Sequence, residues 1–184
     1  MNVKLRRINE DDLERIIKWR MDTDITKWMN TDPTLTIKTQ KEWLKNIQNS
    51  QTVEYWMIVV NNQPAGIINI TDIDKIKKES SWGYYIGEKS LRSLQLAMYL
   101  EWNLYDYVFD VLKLKRLYNE VLSLNEGVIK LHQLCGSKVE KVIKNHVIKN
   151  NIEYDVTIMS IIDTVWKELR SSKKYDFIKF EMER

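Results

Sequence analysis

A switch in periodicity between Trp82 and Val111 constrains this chain more than any other stretch. Trp82, Gly83, Tyr84, Tyr85 and Ile86 form an aromatic run of strand type. Gly87 to Arg92 is short and polar. From Ser93 the apolar residues Ala97, Leu100, Leu104, Val108 and Val111 recur at steps of three and four, which predicts a helix with one stripe on a core. A strand that feeds a helix through a tight loop gathers free backbone N–H groups and the positive helix end at one spot, and that spot suits a phosphate. Many α/β proteins contain such a turn with no ligand. The stretch therefore dictates a strand–loop–helix unit and leaves its ligand open.

The chain of 184 residues is expected to be long enough for a full core, and 43% hydrophobic content with seven tryptophans excludes a disordered or fibrous chain. The net charge of +3 is spread as alternating Lys and Glu, without a basic stripe, so no nucleic-acid partner is expected. Cys135 stands alone and no Cys/His ligand spacing occurs, so neither a disulfide nor a metal is expected. Arg6, Asp11 and Asp12 lie where a signal peptide needs an apolar run, and no segment approaches the ~20 apolar residues of a membrane helix. These features predict a soluble cytoplasmic protein with no membrane partner.

In chain order, Val3–Ile8 alternates as a strand and Asn9 caps a helix with Leu13, Ile16, Ile17 and Met21 on one face. Trp28 and Met29 follow in an irregular stretch. Thr39 with Glu42 reads as a capping box ahead of Trp43, Leu44 and Ile47. Tyr55–Val60 and Ala65–Ile70 form a hairpin about Asn61–Pro64, and a polar loop from Asp72 to Ser80 precedes the central strand. Gly83, inside that strand, suggests a bulge. Leu117–Leu122 is a further strand, Asn125 caps a helix to Cys135, and Lys138–Lys149 with Ile152–Ile162 make a second hairpin about Asn150-Asn151. The result is a mixed α/β sheet with helices on both faces. The Gly-x-Gly-x-x-Gly and P-loop patterns are both absent, which removes nicotinamide and nucleotide-hydrolysis chemistry.

Asn125 and His132 share one side of a helix, ~10 Å apart along its axis. Val128, Ile129 and Cys135 lie on that side, so His132 is expected to face inward. A histidine exchanges protons near neutral pH, yet from the residues alone a packed histidine bonded to a carbonyl is the simpler reading.

The order of elements and these residues together resemble the GNAT superfamily of acetyl-CoA-dependent N-acetyltransferases. Its Arg/Gln-x-x-Gly-x-Gly/Ala signature is similar to Arg92-Ser93-Leu94-Gln95-Leu96-Ala97. Gln95 departs from the usual Gly and puts a side chain where backbone must approach phosphate, which implies weaker CoA binding or a different loop path. Asn125, Ile129, Leu131, His132 and Gly136 resemble a second family pattern, with Ser137 in place of Phe. There His132 stands where the family often has the Tyr that protonates the departing thiolate.

Trp19-Arg20, Trp28-Met29, Leu35 to Thr39, and Asn119-Glu120-Val121-Leu122 resemble the branch that acetylates the 4-amino group of a UDP-linked dideoxy amino sugar on the route to pseudaminic acid, used in flagellin glycosylation. The resemblance covers about residues 3–167. It implies a three-layer α/β fold, with a mostly antiparallel sheet of about seven strands and about four helices. A domain over 1–167 and a tail over 168–184 are expected, with Tyr175, Phe177 and Phe180 packing as a lid, packing across a homodimer, or fraying.

The implied cosubstrate is acetyl-CoA, held by Tyr84, Tyr85, Ile86, Arg92 to Ala97 and Asn125, with no metal. The implied reaction is direct attack of the amine, with backbone N–H groups near Tyr84–Ile86 polarising the thioester, His132 as acid and Glu120 as candidate base. Arg20, Trp28, Met29, Tyr55 and Trp82 are candidates for contacts to the nucleotide sugar. Acetylation of a protein N-terminus or another small amine, and CoA binding without catalysis, are the alternatives.

Overall fold

The computed structural model describes residues 1–182. It has strands β1 (Val3–Arg7), β2 (Glu54–Val60), β3 (Gln63–Asp74), β4 (Glu79–Ile86), β5 (Arg116–Leu122), β6 (Lys138–Lys149), β7 (Ile152–Ile162) and β8 (Lys179–Phe180). The helices are α1 (Leu13–Arg20), α2 (Thr23–Thr26), α3 (Ile37–Asn49), α4 (Leu94–Asp106), α5 (Glu126–Cys135) and α6 (Asp163–Leu169). The described strands join one sheet of eight in the order β6-β7-β5-β4-β3-β2-β1-β8. All pairs are antiparallel except β4 with β5 and β1 with β8.

Alternation along β2 builds two cores. Trp56, Ile58 and Val60 join Leu96, Leu100, Leu104 and Trp166 on the face covered by α4, α5 and α6. Met57 and Val59 join Leu13, Ile16, Trp19 and Leu44 on the face covered by α1 and α3. Burying each such side chain contributes about 1.5–3 kcal/mol, so both layers are needed to hold the sheet.

Several local expectations are corrected. The α3 capping box is Thr36 with Thr39, not Thr39 with Glu42, because the Thr36 and Thr39 side chains each accept the other's backbone N–H. The polar stretch after Ile70 is no open loop: β3 runs on to Asp74 and turns directly into β4. Asn125 occupies the N-cap position of α5 without a side-chain cap bond. Val111 is exposed, because α4 ends in a π-turn over Tyr107–Val111 that rotates it off the core stripe. The two-residue turns Asn61-Asn62 and Asn150-Asn151 have positive φ throughout, as hairpins of this length require.

The eighth strand comes from the tail, which folds back onto its own sheet. Phe180 stacks on Tyr107 at 4.5 Å, the Trp56 indole N–H donates to the Glu181 carbonyl, and Ile178 N–H donates to Asn103. Tyr175 donates to Asp106 at 2.6 Å. Phe177 stays exposed.

Gly87, at the end of β4, lies against Trp19: an added Cβ would stand 2.2 Å from the indole. Gly87→Ala is therefore expected to cost about 1–3 kcal/mol by overpacking, measured as a lower denaturation midpoint. An unchanged midpoint would show that Trp19 can move aside freely.

Candidate active site

The site forms where β4 and β5 part. They pair only from Glu79 to Ser81 against Arg116 to Tyr118. Beyond that point Trp82–Ile86 stays paired with β3 and Asn119–Leu122 with β7, leaving a gap between them. Gly83 lies in regular register opposite Asn69, and the β3–β4 irregularity falls between Thr71 and Asp74, so the expected bulge at Gly83 is absent. The opening arises from lost pairing and not from an extra residue.

A cleft of about 790 Å³ enters this gap between the first turns of α4 and α5. A second, of about 510 Å³, lies on the α1–α3 face. Trp28, Met29, Gly83, Tyr84, Tyr85 and Glu120 border both, so the clefts meet through the parted strands.

At the mouth of the larger cleft, the Arg92 Nε–H donates to the Ile86 carbonyl at 3.0 Å and ties the loop to the end of β4. Ser93 caps α4 by accepting the Leu96 N–H at 3.1 Å. The amides of Leu94 and Gln95 lie in the first helical turn, where no carbonyl precedes them, beside the positive helix end. Arg92, Ser93, Leu94 and Ala97 line the cleft; Gln95 and Leu96 do not. Leu96 is wholly buried, and the Gln95 side-chain amide donates to Tyr99 along the helix at 3.3 Å. The obstruction expected from Gln95 therefore does not arise in this conformation. An anchored loop with free amides fits a pyrophosphate. Deeper in, the buried Trp82 Nε1 and Asn119 Oδ1 lack protein partners among the described residues, and both residues line the same cleft. A polar ligand reaching that depth can satisfy them.

His132 sits at the inner wall, 3% exposed. Its Nδ1 lies 2.8 Å from Oε1 of Glu101, a carboxylate with no exposure on α4. Glu101 also accepts from Tyr84 at 3.3 Å and Tyr105 at 3.0 Å, and Tyr105 meets Ser137 at 3.1 Å. The Trp82 ring packs on His132 at 5.1 Å. Burial and the adjacent carboxylate push the Tyr84 and Tyr105 phenols well up, and burial chiefly pushes the Cys135 thiol up, so all three stay neutral. With Nδ1 donating to Glu101, Nε2 is the ring nitrogen left for the cleft.

The other candidates separate by strand parity. Trp82 and Tyr84 pack on the α4–α5 side, whereas Tyr85 packs on the α1–α3 side. Trp82, expected against the acceptor, thus lines the larger cleft and not the smaller. Arg20, Trp28, Met29 and Tyr55 do line the smaller one, with Tyr55 edge-on to Trp43 at 5.3 Å. Tyr85 meets Trp19 edge-on, and burial pushes its phenol up. Glu120 stands where the clefts join, accepting from Asn30 at 3.2 Å. Asn125 and His132 line one cleft, as their shared helix side requires.

The residues that sequence reasoning missed are Glu101, Tyr105 and Ser137. Glu101 carried a signal: it is a carboxylate inside the apolar stripe between Leu100 and Leu104, where an unpartnered charge is not tolerated.

Comparison with known proteins agrees with this geometry. The model of the acetyltransferase (GNAT) domain matches residues 2–138. The chain belongs to the GNAT acetyltransferase family. This acetyltransferase is 25% identical over 126 residues to the acetyltransferase PseH of Campylobacter jejuni subsp. jejuni serotype O:23/36, covering 68% of this chain and 76% of that protein. PseH of serotype O:2 of the same subspecies is 24% identical over the same shares. Among solved structures, spermidine N-acetyltransferase from Vibrio cholerae in complex with CoA and spermine superposes with a TM-score of 0.84 at 18% identity. That match covers 90% of this chain and 98% of the other, and the likeness is one of fold. The GNAT protein is an acetyl-CoA-dependent N-acetyltransferase, and acetyl-CoA is its cosubstrate.

Acetyl-CoA is expected to raise the melting temperature by about 5–10 °C at a hundred times its Kd, from roughly 2.7 kcal/mol of linkage in a domain of this size. Gln95→Ala is expected to change that affinity by less than the tenfold that about 1.4 kcal/mol represents. A larger loss, read by tryptophan fluorescence, would mean that the Gln95 side chain swings back to hold the cosubstrate.

Proposed function

We propose that this enzyme transfers the acetyl group of acetyl-CoA to the 4-amino group of a UDP-linked amino-dideoxy sugar by direct attack. The observation that carries the proposal is the lining of the smaller cleft. Trp28, Met29, Leu35, Trp43 and Tyr55 wall it with apolar and aromatic surface, suited to a deoxy-sugar methyl and ring. Arg20 is its one cation and Glu120 its one carboxylate among the described lining residues. A polyamine carries several positive charges and calls for several carboxylates, so this lining favours the sugar over spermidine. The likeness to PseH supports the same reading.

In the proposed reaction, acetyl-CoA lies along β4 with its pyrophosphate on the Arg92–Ala97 loop. Backbone N–H groups of Tyr84–Ile86 orient the thioester and polarise its carbonyl. The amine enters from the smaller cleft, and His132 Nε2 meets the sulfur from the other side.

The test is a panel of acetyl-CoA with UDP-4-amino-4,6-dideoxy-N-acetyl-altrosamine, spermidine and a peptide with a free N-terminus, read by thiol release. The highest kcat/KM is expected for the nucleotide sugar. A preference for spermidine or the peptide would overturn the acceptor assignment, and no thiol release with any of them would overturn direct transfer to such amines.

A further inference from the structure

We infer that the proton of the acceptor amine leaves through Glu120, and that His146 is a positioning residue that acts through Glu120 from 4.0 Å away. The inference rests on acetyl-CoA-dependent N-acetyl transfer and not on which amine accepts. His146 lies in β6, and β6 is not the neighbour of β5; β7 runs between them. What brings the two together is an irregularity in β6, where four steps from Ile143 to Val147 oppose two steps from Val156 to Tyr154 on β7. Asn145 takes a positive φ there, its N–H donates to Asp155 at 3.0 Å, and Lys144 binds the same carboxylate at 2.6 Å. Such bulges re-aim side chains, and this one directs His146 across β7 so that Nε2 stands 4.0 Å from Glu120 Oε1. The second Glu120 oxygen accepts from Asn30.

The hairpin is fixed in this position. Lys149, almost wholly buried beside its turn, donates to the carbonyls of Thr26 at 2.7 Å and Met29 at 2.8 Å and pairs with Asp32 at 3.2 Å. Lys149 therefore ties the loop carrying Trp28 to Asp32 to the hairpin that carries His146. The His146 side chain is 42% exposed and that of Glu120 37%, so both meet solvent, and Glu120 also meets the junction of the clefts. The other charged or titratable groups near the pair are Arg20 across the smaller cleft, Tyr118 on β5, and the Lys144–Asp155 and Lys149–Asp32 ion pairs.

The proton balance follows. The acceptor ammonium loses one proton to Glu120, which gives it up to water on its exposed side, beside His146. The neutral amine forms the C–N bond at the thioester carbon, and the C–S bond breaks. His132 protonates the thiolate and is reprotonated from solvent, while the surplus proton on nitrogen leaves by Glu120. One proton is released overall.

The experiment takes whichever amine of the acceptor panel turns over fastest. Glu120→Gln is expected to lower kcat by about 10²-fold and His146→Gln by about tenfold, with the acetyl-CoA KM unchanged. The double variant should be no slower than Glu120→Gln, imidazole should restore His146→Ala, and the loss in His146→Gln should shrink as rising pH frees the amine. Additive losses, no imidazole rescue, or His146→Gln activity within twofold of the parent would each overturn the inference. A readout without acceptor guards against an inactive panel, in which case the acceptor assignment fails separately. The chain has two histidines, so Glu120→Gln should move the ring resonances of His146 and leave those of His132 in place. Unmoved His146 signals would show that the pair does not form.

Discussion

His132→Phe is expected to lower kcat by about 10²–10⁴-fold while acetyl-CoA affinity stays within a few-fold of the parent. His132 lines the cleft on the α5 side, and Glu101 fixes its ring by accepting from Nδ1 at 2.8 Å. In the proposed role of donor to the sulfur, which acts late in the reaction, its loss appears in turnover and not in binding of the cosubstrate. His132→Tyr should recover much of the rate, because a phenol on the same helix position can reach the same atom. A histidine that merely packs gives the opposite pattern: both variants lose stability and keep near-normal turnover per folded molecule. Steady-state kinetics normalised to the active fraction separate the two. A His132→Phe enzyme within a few-fold of parental kcat would remove the donor role.

Much of the layout behind this prediction could be read from local patterns. The switch from strand to helix between Ile86 and Ser93, the Asn-Asn turns and the helix stop at Gly136, whose φ is 112°, are all short-range features. His132 was placed on the inner side of its helix by spacing alone. Its partner was not, because Glu101 is 31 residues away and meets it only when α4 and α5 pack on one face of the sheet. The same limit applies to His146, whose position depends on the second of two register irregularities in β6. Gln95 shows a different limit. Its spacing is right for the loop, but spacing carries no rotamer, and the side chain turns to Tyr99. The tail was unreadable because β8 is two residues long, and its pairing with β1 is set by Phe180 and Glu181 meeting Trp56.

Glu101→Leu is expected to cost about 3–5 kcal/mol, because it takes the shared acceptor from several donors at once. Leucine fits a helix interior, so propensity contributes little, and being only about a methylene larger than glutamate it adds modest overpacking. The cost arises from what is left behind. His132 Nδ1, buried, and the Tyr84 hydroxyl, part-buried at the cleft wall, both lose their acceptor, at about 1–3 kcal/mol each, while Tyr105 keeps Ser137. In a domain of this size the melting temperature should fall by about 6–20 °C. Combining Glu101→Leu with His132→Phe should recover part of the loss, since a hydrophobic pair leaves one orphan fewer. Chemical denaturation of the two single variants and the double variant gives the coupling directly. Strict additivity, or a Glu101→Leu penalty below about 1 kcal/mol, would mean that water or a shifted side chain replaces the carboxylate, and that His132 is held by its packing on Trp82 instead.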